Sequence, residues 1–188
     1  MAGHVRRTKF LEEAKVAVLI AATDAERLAP RDRALLGLVY AGALRVGEVA
    51  RLHVHEILFD DGGVVVVGKG WRPRFVPIAP VALGWLRAYL GPRSAGPVFL
   101  ADHGGPMSDR LMRKVVDKYA RKGLLPKISP HTLRHSCASH LLARGMYLPR
   151  LSELLGHRLL STTTVYLHEV PVAVDMAGQY HAAHPLAR

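Results

Sequence analysis

Apolar positions recur at helical spacing over most of the chain. Leu11, Ala14, Val18, Leu19 and Ala22 predict a first helix that Thr8 can cap, with Glu12 and Glu13 where the helix dipole favours acids. Pro30 opens a second, through Leu35, Leu36, Leu38, Val39 and Tyr40, which Gly42 interrupts; Leu44–Val49 begins a third. The period then changes. Ile57–Asp60, Val64–Val67 and Phe75–Ile78 are short β-branched or aromatic runs parted by Asp61-Gly62-Gly63 and by Gly68–Pro73, which predicts a small three-stranded antiparallel sheet. Helical spacing returns from Pro80 to Leu90, from a Ser108 cap to Lys122, from Ser129-Pro130 to Gly145, and from Pro149 to Leu155. Ser161 can cap a short helix bearing Tyr166, and the half-apolar tail can form one more before Pro185. The fold class is α+β, mainly α.

Length and composition narrow the partners. The 188 residues suit one domain, and 49% apolar residues are enough for a real core. Lys and Arg outnumber Asp and Glu by 26 to 15, and the net charge of +11 favours a polyanion, most simply DNA or RNA. Aromatics are only 6%, so base stacking is not the expected means of contact. A single cysteine, Cys137, excludes an internal disulfide and a cysteine-based zinc site; its apolar neighbours suggest a buried, inert thiol. Neither a secretory signal nor an apolar run of membrane-crossing length is evident, so the expected location is the cytoplasm, with the nucleoid in a bacterium.

Polar residues that helical periodicity does not explain mark the candidate chemistry. His131 and Arg134 are three apart and share a face at a helix start. His157 follows a helix-ending glycine, and Tyr166 lies one short segment beyond. Arg45 stands near a helix start, where a cation is unfavourable unless an anion binds; a salt bridge to Glu48 is the plainer explanation. The second sheet turn carries Lys69, Arg72 and Arg74, suited to a DNA groove or a phosphate, or simply solvated. It is not a nucleotide-binding loop, because Lys-Ser/Thr after a strand is absent. The helix after Ser108 offers Arg110, Arg113, Lys114, Lys118, Arg121 and Lys122 on one side, a phosphate-tracking surface or a solvated face.

These residues resemble, in order and spacing, the boxes of the tyrosine recombinases, the phage integrase family that includes the Xer proteins. The first box is similar to Ala41-Gly-Ala-Leu-Arg45-Val-Gly-Glu48-Val, and the hairpin lysine box to Gly68-Lys69-Gly-Trp-Arg-Pro-Arg-Phe-Val-Pro77. The second is similar to His131-Thr-Leu-Arg134-His135, then Leu155-Gly156-His157, then Thr164-Val-Tyr166-Leu-His168. The resemblance covers nearly the whole chain and implies a helical catalytic domain that cuts and rejoins DNA without metal, ATP or other cofactor. It implies Tyr166 as nucleophile, Arg45 and Arg134 on the scissile phosphate, Lys69 as general acid, His131 assisting proton transfer and His157 donating to the phosphate. Glu48 fits the family's acidic orienting position, and Arg72, Arg74, Arg110, Arg113, Lys114 and Lys118 are expected on DNA.

The family's N-terminal core-binding domain has no room here, because the residues before Arg45 supply the catalytic domain's own first helices. Residues 1–188 are therefore expected to be a single catalytic domain, either naturally so, like the fimbrial phase-switch invertases, or as part of a longer protein. Residues 170–188 resemble Xer tails that dock onto a neighbouring protomer. The implied partner is double-stranded DNA with a specific target, bound by a homotetramer, and no membrane. Three other readings stay open: a DNA-binding regulator that has lost cleavage, a type IB topoisomerase, and a metal site on His131 and His135, four apart on one helix.

Overall fold

Helix α2 (Ala29–Ala41) is buried on nearly all sides, and the other elements are arranged around it. The computed structural model describes residues 10–24, 27–68, 73–156 and 176–187. α2 packs most extensively on α4 (Pro80–Leu90) and also meets α1 (Glu13–Ala21), α3 (Val46–Ala50), α5 (Asp109–Lys122) and α6 (Pro130–Ala143). A helix that is apolar all round must be enclosed, and Leu35, Leu36, Leu38 and Tyr40 have almost no exposed surface. Gly37 permits the close approach of α4, since a Cβ there would stand 2.7 Å from Trp85 Cε3. At the polar end of α2, buried Asp32 accepts hydrogen bonds from Arg31 Nε and the Tyr119 hydroxyl on α5.

The helix boundaries follow the expected punctuation. Pro80 and Pro130 open their helices, and the Ser108 and Ser129 side chains accept from the backbone N–H groups of Leu111 and Thr132. Helix α7 (Leu148–Leu155) ends at Gly156 in the left-handed conformation, φ +62°. Helix α3 begins later than the apolar pattern suggests, leaving Arg45 extended at its N-cap. The first helix starts later than expected, at Glu13 with Glu12 extended as its N-cap and no side-chain cap bond, so it is not the helix from Leu11 that Thr8 would cap. The expected cap Ser161 lies outside the described residues.

The sheet has the order β1-β2-β3, all antiparallel: β1 (Ile57–Leu58), β2 (Gly63–Val67) and β3 (Pro73–Pro77). β1 is shorter than expected because the turn starts at Phe59. β3 begins earlier than expected, because the register with β2 continues to Val67↔Pro73. A proline is tolerated there because β3 is an edge strand.

The tail forms α8 (Met176–Ala183), which lies on its own chain beside α6. Tyr180 is fully buried; its hydroxyl accepts from Ala79 N at 3.0 Å and donates to the carbonyl of Ala41, joining the end of α2 to the start of α4. His184 is equally buried. Its Nδ1 accepts from Leu186 N, which leaves the proton on Nε2, 3.6 Å from Cys137 Sγ. Cys137 is buried and its thiol pKa is raised by desolvation, so it is an unreactive core residue. None of the helices among the described residues is long and apolar enough to cross a membrane.

Candidate active site

An open cleft of about 640 Å³ lies where the start of α3, the start of α6 and the β2–β3 hairpin converge. Arg45, Gly68, Arg113, His131 and Arg134 line it, residues that are distant in sequence. The route from α2 to α3 is a sharp turn through Ala43, which holds φ +45°. That left-handed backbone costs an alanine about 1–2 kcal/mol, and the Ala43 carbonyl accepts from Arg134 Nη1 at 2.6 Å. The turn that carries Arg45 is thereby tied to α6.

Arg134 is 5% exposed, and its Nη2 donates to the Leu155 carbonyl, also at 2.6 Å. Leu155 ends α7, where carbonyls lack helical partners and a cation is favourable. The guanidinium is thus oriented by backbone oxygens on two sides while still lining the cleft.

Glu48 lies behind Arg45, with 2% of its side chain exposed. Its carboxylate accepts from Arg45 N (2.9 Å) and Arg45 Nη1 (3.1 Å), and from Arg74 Nη1 (2.9 Å) and Nη2 (3.1 Å). Burial alone would raise the Glu48 pKa, but the Arg74 fork and then Arg45 outweigh it and hold the group below its ordinary range. Of the two explanations of Arg45, the structure shows the plainer one, the pair with Glu48; the side chain is nevertheless 43% exposed and lines the cleft.

His131 is exposed in the first turn of α6, and its Nε2 lies 2.9 Å from Nε2 of His135 with the rings edge to face. Partial burial, then the positive charges of Arg134, Arg45 and Arg113, lower its pKa. A neutral imidazole at pH 7 can accept a proton. The metal reading of His131 and His135 gains no third ligand, since no group of three or more His, Cys, Asp or Glu residues clusters suitably among the described residues.

The basic face of α5 continues from the cleft. Arg110, Arg113, Lys114, Lys118, Arg121 and Lys122 are exposed, opposite buried Met112, Val115, Val116 and Tyr119. Arg121 pairs with Asp117, and Lys118 Nζ donates to the Tyr119 hydroxyl at 3.2 Å. Arg74 departs from the expectation of a DNA contact: its side chain is 16% exposed, and all its donor nitrogens are engaged inside the fold, with Nε on the Leu154 carbonyl. One signal points inward. Arg74 is two residues before buried Val76 and so shares its face of the strand. Lys69, Arg72, His157 and Tyr166 lie outside the described residues. Their described neighbours are Gly68, which lines the cleft, and Gly156, where a Cβ would meet the Arg74 guanidinium.

The model of the family described as "Phage integrase family" matches residues 9–171. The tyrosine recombinase XerC of Pelotomaculum thermopropionicum is 40% identical over 197 aligned residues, covering 97% of this chain and 64% of that protein. XerD of Ralstonia nicotianae is 40% identical, covering 95% of this chain and 61% of that one. The chain therefore spans somewhat under two thirds of the length of these relatives. The crystal structure of XerA recombinase shares the fold, with a TM-score of 0.77 and 24% identity over 86% of this chain and 59% of that one.

Proposed function

The chain belongs to the phage integrase family, and from that premise we propose that it cleaves and rejoins double-stranded DNA at a specific site through a 3′-phosphotyrosine on Tyr166. The observation that carries this reading is the cleft itself, which gathers Arg45, Arg134, His131 and Arg113 around one opening beside the hairpin residue Gly68. Relatives named as tyrosine recombinases support it further.

The chemistry follows from what a phosphodiester demands. Its anionic oxygens repel a nucleophile, and the transition state gathers more charge on them. Arg45 and Arg134 supply planar, permanent cations matched to those oxygens. Tyr166 attacks phosphorus as its proton leaves, because a phenol with a pKa of about 10 is otherwise a weak nucleophile at neutral pH. Neutral His131 assists that transfer, and its depressed pKa keeps it able to accept. As the bond from phosphorus to the 5′ oxygen breaks, Lys69 protonates the departing oxygen. His157 donates a hydrogen bond to the phosphate, and Glu48 orients Arg45. Attack by a 5′-hydroxyl then reverses the step and releases Tyr166. One phosphodiester has been exchanged for another, so the reaction itself requires no ATP.

The α5 face, with Arg110, Arg113, Lys114 and Lys118, tracks the DNA backbone outside the cleft. Exchange between two duplexes uses four active sites, hence a homotetramer on DNA. Docking of α8 onto the α2–α4 face of a neighbour, in place of its own, would link the protomers. Integration, excision, inversion and resolution all use this chemistry.

The test is a covalent adduct. Duplexes selected by binding from a randomised pool are nicked at successive positions, so that the short 5′-hydroxyl fragment diffuses away after cleavage. Wild-type protein is expected to accumulate a denaturation-resistant protein–DNA species, and Tyr166→Phe to bind without forming it. Binding with no adduct on any nicked duplex would reject the enzyme in favour of a DNA-binding regulator. Relaxation of a plasmid lacking the selected site would favour a type IB topoisomerase.

A further inference from the structure

Arg74 does not line the cleft, yet it is bonded to Glu48, which holds Arg45, and to the end of α7, whose last carbonyl holds Arg134. Its guanidinium forks onto both oxygens of Glu48, at 2.9 and 3.1 Å, the two-point geometry that makes such pairs strong. Arg45 reaches the same carboxylate with one side-chain bond, at 3.1 Å, and its other bond is from a backbone N–H. One carboxylate thus faces two guanidiniums, and the cluster is left with one net positive charge. Exposure decides where that charge acts: the Arg74 side chain is 16% exposed and Arg45 43%, and Arg45 lines the cleft.

The third donor of Arg74 reaches elsewhere. Nε meets the Leu154 carbonyl at 3.2 Å, while Arg134 takes the next carbonyl, Leu155. The last two carbonyls of α7 are therefore held by two arginines, one from β3 and one from α6. Gly156 follows with φ +62°, and a Cβ there would lie 3.0 Å from Arg74 Cζ. The Arg74 guanidinium thus packs directly against the residue that precedes His157, and Arg74 follows Lys69 on the same hairpin.

We infer that Arg74 is a positioning residue: it takes up the charge of Glu48 so that Arg45 meets the phosphate as an undiminished cation, and it fixes the hairpin strand after Lys69 to the end of α7 before His157. The inference rests on the cleavage chemistry proposed above. Without Arg74, the Glu48 carboxylate keeps its bonds from Arg45, and the Arg45 guanidinium is drawn back toward it. A protonated Glu48 would release it.

The experiment measures single-turnover adduct formation on the selected nicked duplex, with DNA affinity determined separately. Arg74→Met is expected to slow cleavage by about 10–100-fold, the range typical of a group that orients a ligating residue without itself touching the reacting centre, with affinity almost unchanged. Adding Glu48→Gln to Arg74→Met should recover part of that loss, since the charge that holds Arg45 is then gone. The rate of Arg74→Met relative to wild type should also rise as pH falls, because its Glu48 protonates at a higher pH than the wild-type group. Arg74→Lys, which keeps the charge and loses the fork, should fall between the two and serves if Arg74→Met does not fold. A wild-type rate in Arg74→Met, or a slowing that neither Glu48→Gln nor acid relieves, overturns the inference. Absence of adduct with the wild-type protein instead overturns the proposed function, so the two failures are distinct.

Discussion

Gly156 shows how much a single position holds in place. Its left-handed φ ends α7, and its missing Cβ leaves room for the Arg74 guanidinium. Gly156→Ala is expected to lower the unfolding free energy by about 1–2 kcal/mol from backbone strain alone, measured by equilibrium urea unfolding. Cleavage should slow further than that destabilisation explains, because the methyl displaces Arg74. Such residue-level roles are unevenly legible in a sequence. Arg45, His131 and Arg134 stand out because their chemistry is unusual for their places in a helical pattern, whereas Glu48 reads only as an ordinary first-turn acid that can pair with Arg45. The described structure brings all four to one region. Arg74 reads as a solvated or DNA-facing hairpin residue, since a sequence gives the type of a side chain and not its direction. Strand alternation with Val76 is the hint that it points inward. The strained Ala43 leaves no sequence signal, because nothing about an alanine announces a positive φ.

Elements are easier to read than residues. Pro80, Ser108 and Ser129-Pro130 place helix starts through local chemistry, which the surrounding packing does not override. The tail is harder, because a half-apolar segment says that it will dock but not onto which chain; α8 here lies on its own α2 and α4 through Tyr180. Tyr180→Phe should cost about 1–3 kcal/mol, because it leaves the Ala79 N–H and the Ala41 carbonyl without that buried hydroxyl; thermal unfolding would register it. Docking should also depend on pH. Burial, with nearby His181, Arg144 and His140, depresses the His184 pKa to about 3. The unfolded chain binds that proton near 6.5, so the stability contributed is full above that pH and is lost as pH falls from about 6.5 toward 3. Urea unfolding at about pH 7 and about pH 4.5, on either side of that onset, should show a shallower acid loss in His184→Asn than in wild type. On α5, Arg110→Ala or Lys114→Ala is expected to weaken DNA binding and to reduce the slope of log affinity against log salt by roughly one for each phosphate no longer neutralised.

At the scale of the molecule, a buried central helix packs on α3 and α6, α3 in turn meets β2 of the hairpin, and the cleft lies where these elements converge. Periodicity cannot show this, because it orders elements along the chain without placing distant ones together. The resemblance of the boxes to a known family supplies that placement, and the family match spans residues 9–171. The net charge of +11 points the same way more coarsely, to a protein drawn to a polyanion. The central claim is that this cleft holds a phosphate more tightly in the transition state than in the bound duplex. The most direct measurement is single-turnover cleavage by Arg45→Ala, whose side chain is partly exposed and can be removed without opening the core. The expected rate is lower by about 10³–10⁵, with DNA affinity within about tenfold of wild type; a cleavage rate that survives the substitution would contradict the claim.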